Sequence, residues 1–185
     1  MQGKHLNRSI SILLIASFIV ACAGTPRVEK LTIPEQNEKA VAVFTDKGFE
    51  AVKTEKGVSV YLPPTIYFDS SKSNINLEAR TKIAEIAQEL RQPYLSARTI
   101  EVSGHADSSG DKTLNMKISK ERALAATAEL VFSKISKLRL ITTWHGETKL
   151  RVPDINQDGT INKINRNLNR RVEFNILNPE YIISK

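Results

Sequence analysis

The sequence predicts a two-layer α/β sandwich in which one mixed sheet is covered on one side by helices. Segments with the alternation of strands and segments with the periodicity of helices follow one another along the chain. The 185 residues are 41% hydrophobic and 25% charged, which is typical of one globular domain. A single cysteine allows no internal disulfide, so the domain must be stabilised by burial alone.

The first 21 residues have the layout of a secretion signal. Lys4 and Arg8 precede an apolar run at 10–21 that is interrupted only by Ser11 and Ser17. A transmembrane helix is the weaker interpretation, because crossing a bilayer takes roughly 20 apolar residues. We therefore predict a signal peptide over residues 1–21.

Cys22 directly follows this run and is itself followed by Ala23 and Gly24. The segment resembles a bacterial lipobox; the alternative is an ordinary cleavage site that happens to contain a thiol. A lone thiol in an exported protein has no partner, whereas lipidation gives it a role. The resemblance implies acylation of Cys22 and of its new amino terminus and, because Ala23 rather than Asp follows, anchoring in the outer membrane.

The charge balance points to anionic partners. Removing Lys4 and Arg8 with the signal lowers the formal charge from +7 to +5. An exported protein does not meet nucleic acid, which excludes that class of partner. Anionic lipid and a carboxylate-bearing polymer both stay open.

The amino-terminal half contains two extended runs. Residues 22–38 are polar, contain two prolines and suggest a tether. Residues 39–56 suit either a short helix or a strand and stay unassigned. Alternation predicts a strand over 57–62, and a second extended run follows the Pro63-Pro64 pair at 65–68.

The carboxyl-terminal half continues the alternation of strands and helices. Helical spacing follows Asn76, a candidate cap, and a second helix is expected to begin at Ser119, with Glu121 in its first turn. Leu124, Ala128, Val131 and Ile135 are its expected buried stripe. Strands are expected at 99–103, 138–144 and 172–177, with polar loops at 104–110 and, with a short helix, at 152–164.

Four motifs then occur in order: Ile66-Tyr67-Phe68-Asp69; Gly104-His105-Ala106-Asp107 with Gly110, Asn115, Ser119 and Arg122-Ala123 after it; Gly146-Glu147; and Asn169-Arg170-Arg171-Val172-Glu173. In these residues the chain resembles the OmpA-like peptidoglycan-binding domain. The resemblance covers about 57–177 and implies a βαβαβ(α)β fold and a domain over 57–185. The connection from Ser133 to Leu140 departs from the family pattern because it lacks the usual glycine, so we expect it to turn differently.

The family's binding pair carries over onto Asp107 and Arg122. The resemblance implies that they hold meso-diaminopimelate, the diamino acid of many peptidoglycan stem peptides, whose side chain ends in an ammonium and a carboxylate. Asp107 would take the ammonium. Arg122 would take the carboxylate through a two-pronged contact, assisted by the amides of a nearby helix start.

Further residues accompany the pair. Asn115 is expected to brace the loop rather than contact the ligand. Phe68 could form an apolar wall of the pocket and Asp69 a hydrogen bond at its rim. Arg171 is a candidate contact with peptidoglycan. The alternative is an internal salt bridge from Arg171 to Glu147 or Glu173.

Other chemistries have little support in the sequence. His105 and His145 lack further ligands at metal-binding spacing, so no metal or other cofactor is expected. The segment 154–159 imitates the start of a calcium loop, but Asn165 stands where such loops use a bidentate carboxylate, so we predict a turn-rich loop. No nucleophile with an adjacent base is visible, and no enzyme is predicted.

The leading hypothesis is a non-catalytic lipoprotein that links the outer membrane to peptidoglycan. The lipid at Cys22 would hold the outer membrane, and the pair of Asp107 and Arg122 would hold peptidoglycan. The alternative is a regulatory lipoprotein that sequesters a periplasmic protein partner, with residues 39–56 as the place to look. A wall hydrolase is the least supported, because no catalytic constellation is present.

Overall fold

A computed structural model of the chain describes residues 31–62 and 75–183, and within them five strands form one mixed sheet. The strands are β1 (Glu50–Thr54), β2 (Gly57–Leu62), β3 (Ile100–Gly104), β4 (Leu140–Trp144) and β5 (Val172–Leu177). Their order is β1-β2-β5-β3-β4, and β3 and β4 run parallel while the other pairs are antiparallel. The predicted mixed sheet is therefore confirmed.

One face of this sheet is covered by α1 (Ile33–Asp46), α2 (Leu77–Leu90) and α3 (Lys112–Phe132). The described residues also form the helices α4 (Lys163–Asn169) and α5 (Pro179–Ile183). Helices α1, α2 and α3 supply buried side chains to the core, while α4 and α5 are short. On the sheet side the core consists of alternating apolar residues: Val58, Val60, Leu62, Ile100, Val102, Val172, Phe174 and Ile176. No helix in the described ranges is long and apolar enough to span a membrane.

Residues 33–38, part of the predicted tether, form the first turns of α1 instead. Pro34, one of the two prolines that suggested a tether, lies in the first turn of α1, where a missing N–H breaks no helical hydrogen bond. The backbone N–H of Thr32 donates to the Glu35 carboxylate at 2.7 Å and secures the helix start.

The unassigned segment 39–56 contains the rest of α1 and strand β1. Ala40 and Phe44 are fully buried, and the Phe49 ring lies edge-on to that of Phe44 at 6.1 Å. Strand β1 pairs antiparallel with β2 along its whole length. This segment is therefore part of the core and of the sheet.

The remaining described strands agree with the predicted bounds to within two residues at each end, and α2 begins directly after Asn76, as expected. The Asn76 side chain caps α2 by accepting from the N–H of Ala79 at 2.8 Å. The extended run at 65–68 lies outside the described residues. In the carboxyl-terminal part, the predicted turn-rich loop is present, and the short helix follows it as α4 rather than lying within 152–164.

Helix α3 begins two turns earlier than predicted. Asp111 caps it by accepting from the N–H of Leu114 at 2.9 Å, and Ser119 lies fully buried in its interior. The predicted stripe lies on the wrong face: Leu124 is 47% exposed, and only Ile135, beyond the helix, is buried as expected. The true inward face is partly polar and consists of Asn115, Ser119, Arg122, Ala123, Ala126 and Leu130. Apolar periodicity alone therefore predicts the wrong face of α3 as the buried one.

The connection that lacks the family's glycine places a lysine in left-handed backbone. Lys134 has φ 70° and follows the α3 carboxyl terminus, where the N–H of Ile135 donates to the Leu130 carbonyl at 3.0 Å. We expect Lys134→Gly to raise the free energy of unfolding by about 0.5–1 kcal/mol, since glycine adopts this φ without strain. Thermal unfolding should show a higher midpoint. Ser133→Gly, at φ −79°, is the matched control and should lower it; the same sign for both variants would contradict the explanation.

Candidate functional site

Three segments converge at the carboxyl ends of β3 and β4: the loop 104–110, the turn 145–147 and the inner face of α3. The N–H of Ala106 donates to the Gly146 carbonyl at 2.7 Å, and the N–H of Gly146 donates to Ser119 Oγ at 2.9 Å. Gly104 lies so close to α3 that a Cβ there would be 2.0 Å from the Ser119 carbonyl oxygen. The close approach of Gly104 to α3 places the loop that carries Asp107 next to the helix that carries Arg122.

Asp107 is buried, with 2% of its surface exposed, and its carboxylate is well supplied with donors. Oδ1 accepts from the N–H of Ser109 at 2.8 Å and from the Ser109 hydroxyl, and Oδ2 accepts from Nη1 of Arg170. Burial alone would raise the pKa of Asp107, but the bonds from Ser109 and Arg170 outweigh it and hold the pKa below its usual range. The group is therefore an anion at neutral pH.

Arg122 lies in the middle of α3 and is only 6% exposed. Burial lowers its pKa, the neighbouring Arg170 lowers it further, and Asp107 acts in the opposite sense. The predicted acid and base thus share one electrostatic neighbourhood. The prediction that the amides of a helix start assist Arg122 in binding a carboxylate is wrong, since α3 begins at Lys112 and Arg122 lies several turns further on.

Asn115 braces the loop from α3. Its Nδ2 lies 3.2 Å from the Asp107 carbonyl oxygen, 2.8 Å from that of Ser109 and 2.7 Å from Oε2 of Glu147. One amide thereby links the loop 104–110 to the turn after β4. This is the bracing geometry that the sequence suggested.

The structure brings Arg170, not Arg171, to Asp107. Arg171 is buried on the opposite side of the sheet, where its Nε donates to Oε1 of Glu173 at 2.7 Å, which is the internal salt bridge given above as the alternative. The alternation of β5 explains this, because Val172 faces the core and its neighbours Arg171 and Glu173 must face away. Alternation separates the two arginines in the sequence as well, but the contact with Asp107 belongs to Arg170 and not to Arg171, the predicted candidate.

Two other site residues escaped the sequence analysis. Ser109 supplies two bonds to Asp107, and Asp154 accepts from the N–H of Ser108 at 2.5 Å while also bonding Asn169 at the end of α4. Asp154 thus fastens the loop to α4. Phe68, Asp69 and Cys22 lie outside the described residues.

The sheet face opposite α1, α2 and α3 carries a polar cluster behind the loop. The rings of His105 and His145 lie 5.1 Å apart, and Nε2 of His105 lies 3.6 Å from Oε1 of Glu173. Burial opposes ionisation of Glu173, but His105 and Arg171 outweigh it and lower its pKa to about 2. Over 31–62 and 75–183, no group of three potential metal-ligating side chains is assembled.

Because of this cluster, we expect the free energy of unfolding to fall in mild acid. Burial, and then Lys149 and His105, lower the pKa of His145 to about 4, so between about pH 6.5 and 4 the unfolded chain binds a proton that the folded one does not. The free energy of unfolding should therefore fall as the pH falls through this window, by about 1 kcal/mol for a partly solvated ring. His145→Gln should flatten this part of the profile in urea unfolding but keep the further loss below about pH 4.5, where the unfolded chain binds a proton at Glu173 that the folded chain, with its pKa of about 2, does not. An unchanged slope between pH 6.5 and 4.5 would contradict the assignment to His145.

Comparison with known proteins places the chain in a family. Residues 67–167 match the model of the OmpA family. The chain is 34% identical over 140 residues to the peptidoglycan-associated lipoprotein of Mesorhizobium japonicum, which covers 76% of this chain and 78% of that protein. It is 33% identical over 166 residues, 88% of its length, to photosystem I P700 chlorophyll a apoprotein A2 of Gloeobacter violaceus, of which it spans 19%.

A solved structure shows the same fold. The crystal structure of a putative MotB-like protein from Desulfovibrio vulgaris superposes with a TM-score of 0.65 at 20% identity, covering 77% of this chain and 88% of that one. Because the family model matches more than half of its length and the Mesorhizobium lipoprotein is similar over most of both chains, the protein belongs to the OmpA family, as its motifs indicated.

Proposed function

We propose that this chain is a non-catalytic peptidoglycan-binding lipoprotein that tethers the outer membrane to the cell wall. The observation that carries the proposal is the burial of Asp107 and Arg122, opposite in charge, in one electrostatic neighbourhood at the loop that the family motif marks. The relative from Mesorhizobium, a peptidoglycan-associated lipoprotein by name, supports the same function.

The chemistry of the pair suits meso-diaminopimelate. Arg122 offers a planar guanidinium for the side-chain carboxylate, and its partial desolvation strengthens such a charge-assisted contact. The carboxylate of Asp107 can accept about four hydrogen bonds, and among the described residues it receives three, from Ser109 and Arg170, so a further bond from the ligand's ammonium would complete the set. Affinity for a single stem peptide can be modest, because many stems along the polymer act together.

The membrane end of the tether would be the lipid on Cys22. Because α1 begins at Ile33, the chain between the two residues could span at most about 40 Å. A lipidated Cys22 would therefore hold the domain close to the inner surface of the outer membrane, so the wall would have to approach within a short distance. This is a tighter link than a tether up to residue 38 would give.

The test is sedimentation of the full-length chain, purified in detergent, with two kinds of insoluble sacculi. In one kind the stem peptides carry meso-diaminopimelate, and in the other lysine, which keeps the ammonium but lacks the carboxylate. We expect at least tenfold more bound protein at equal concentration on the first kind. Equal sedimentation with both would contradict recognition of the diamino acid, and the chain without sacculi is the control for aggregation.

The alternative, a lipoprotein that sequesters a protein partner, is less well supported by the geometry. Residues 39–56 were its expected contact segment, but Ala40, Phe44 and Phe49 belong to the hydrophobic core. Deleting the segment would also remove strand β1 from the sheet. A partner would have to use another surface.

A further inference from the structure

A basic cavity lies beside Asp107, and we propose that it is a second anion subsite, for the terminal carboxylate of the same stem peptide. The inference rests on the proposed function. The cavity has a volume of about 360 Å³ and is lined by Ser109, Lys163, Arg166, Asn167 and Arg170.

Among the described residues, the lining carries positive charge and no acid. Arg170 donates to Asp107 and to the Asn167 side-chain oxygen, which orients its guanidinium at the cavity wall. Within the part of the chain that the structure describes, neither Lys163 nor Arg166 forms a salt bridge with an acid. Two cationic side chains therefore remain available for an anion.

Arg166 adds a more specific observation. Its Nε–H is buried and has no hydrogen-bond acceptor among residues 31–62 and 75–183. A buried donor without an acceptor is unfavourable, and a ligand oxygen in the cavity would relieve that cost. The unmet donor on a cationic side chain selects an anionic acceptor such as a carboxylate.

The cavity adjoins the diamino acid site through shared residues. Ser109 and Arg170 both bond the Asp107 carboxylate and both line the cavity. An ammonium at Asp107 and an anion in the cavity would therefore lie within reach of one short ligand. In a tetrapeptide stem the residue after the diamino acid ends in a free carboxylate, and cross-linking through that residue consumes it. The subsite should accordingly favour stems with a free end.

The experiment compares two soluble tetrapeptide stems that differ only at the terminus, one with a free carboxylate and one with a carboxamide. Calorimetric titration of the full-length chain in detergent should show about fivefold tighter binding of the free acid. Arg166→Gln should remove this preference. Arg80→Gln is the matched control: it removes the same kind of charge from a side chain that is 59% exposed on α2, and it should keep the preference.

Each outcome separates the inference from the proposed function. Equal affinity of the wild-type chain for the two peptides, with both lost in Asp107→Asn, would overturn the subsite and keep the function. Binding of either peptide that Asp107→Asn leaves intact would overturn the function itself. An Arg166→Gln variant that still prefers the free acid would also overturn the subsite. The subsite would likewise be overturned if the wild-type chain showed no preference between the peptides while Arg166→Gln lost binding to anionic lipid vesicles.

Discussion

Asp107→Asn is expected to reduce sedimentation with diaminopimelate-containing sacculi by at least tenfold. The substitution keeps the size of the side chain but removes the negative charge that would hold the ligand's ammonium, and charge-assisted hydrogen bonds contribute about 1.5–3 kcal/mol each. It also removes the carboxylate that Arg170 contacts and that offsets the charge of Arg122, so the two arginines should repel the ligand's ammonium more strongly. Arg122→Lys should have a similar effect, because an ammonium cannot form the two-pronged contact.

Asp111→Asn provides the matched control. Asp111 lies four residues further along and caps α3 through its side chain, and asparagine caps helices about as well as aspartate. This variant changes the same charge near the same loop, yet it should bind like the wild type. Thermal unfolding of Asp107→Asn must show a folded chain, since the lowered pKa of Asp107 means that its ionised form stabilises the fold. A folded Asp107→Asn protein that sediments like Asp111→Asn would remove the pair from the proposed mechanism.

Alternation between the core and the opposite face was sufficient to predict four of the five described strands, whereas β1 lies in the segment 39–56, which stayed unassigned. Val172, Phe174 and Ile176 show this pattern and occupy the predicted strand. Helix α3 was harder, because its inward face includes Asn115, Ser119 and Arg122, and a polar inward face defeats a search for apolar periodicity.

The pair itself followed from motif resemblance, whereas its surroundings required three dimensions. Arg170 reaches Asp107 across 63 positions of sequence, and Asp154 reaches Ser108 across 46. Neither contact has a local signal, since a salt bridge between distant segments leaves no spacing to recognise. Asp154 instead resembled the first ligand of a calcium loop, although its carboxylate serves as a brace between the loop and α4.

Gly104→Ala is expected to be the most destabilising glycine-to-alanine substitution at the site. It should lower the free energy of unfolding by about 3 kcal/mol or more. An added Cβ would lie 2.0 Å from the carbonyl oxygen of Ser119 and 2.9 Å from its carbonyl carbon. Both are backbone atoms of α3, so no side chain can rotate away to make room. The overlap can be relieved only by moving the helix from the sheet, which breaks core packing.

The comparison with Gly110→Ala separates steric overlap from backbone strain. Gly110 lies in the same loop at φ +84°, and no atom lies within 4 Å of its added Cβ, so alanine there should cost only about 1–2 kcal/mol from the unfavourable φ. Urea unfolding of both variants measures the difference. Because Gly104 sets the spacing between the Asp107 loop and the helix that carries Arg122, the folded fraction of Gly104→Ala should also lose binding to sacculi, whereas Gly110→Ala should retain most of it. Equal stability of the two variants would mean that α3 does not rest on the end of β3, and that the acid and the base are not held together by this contact.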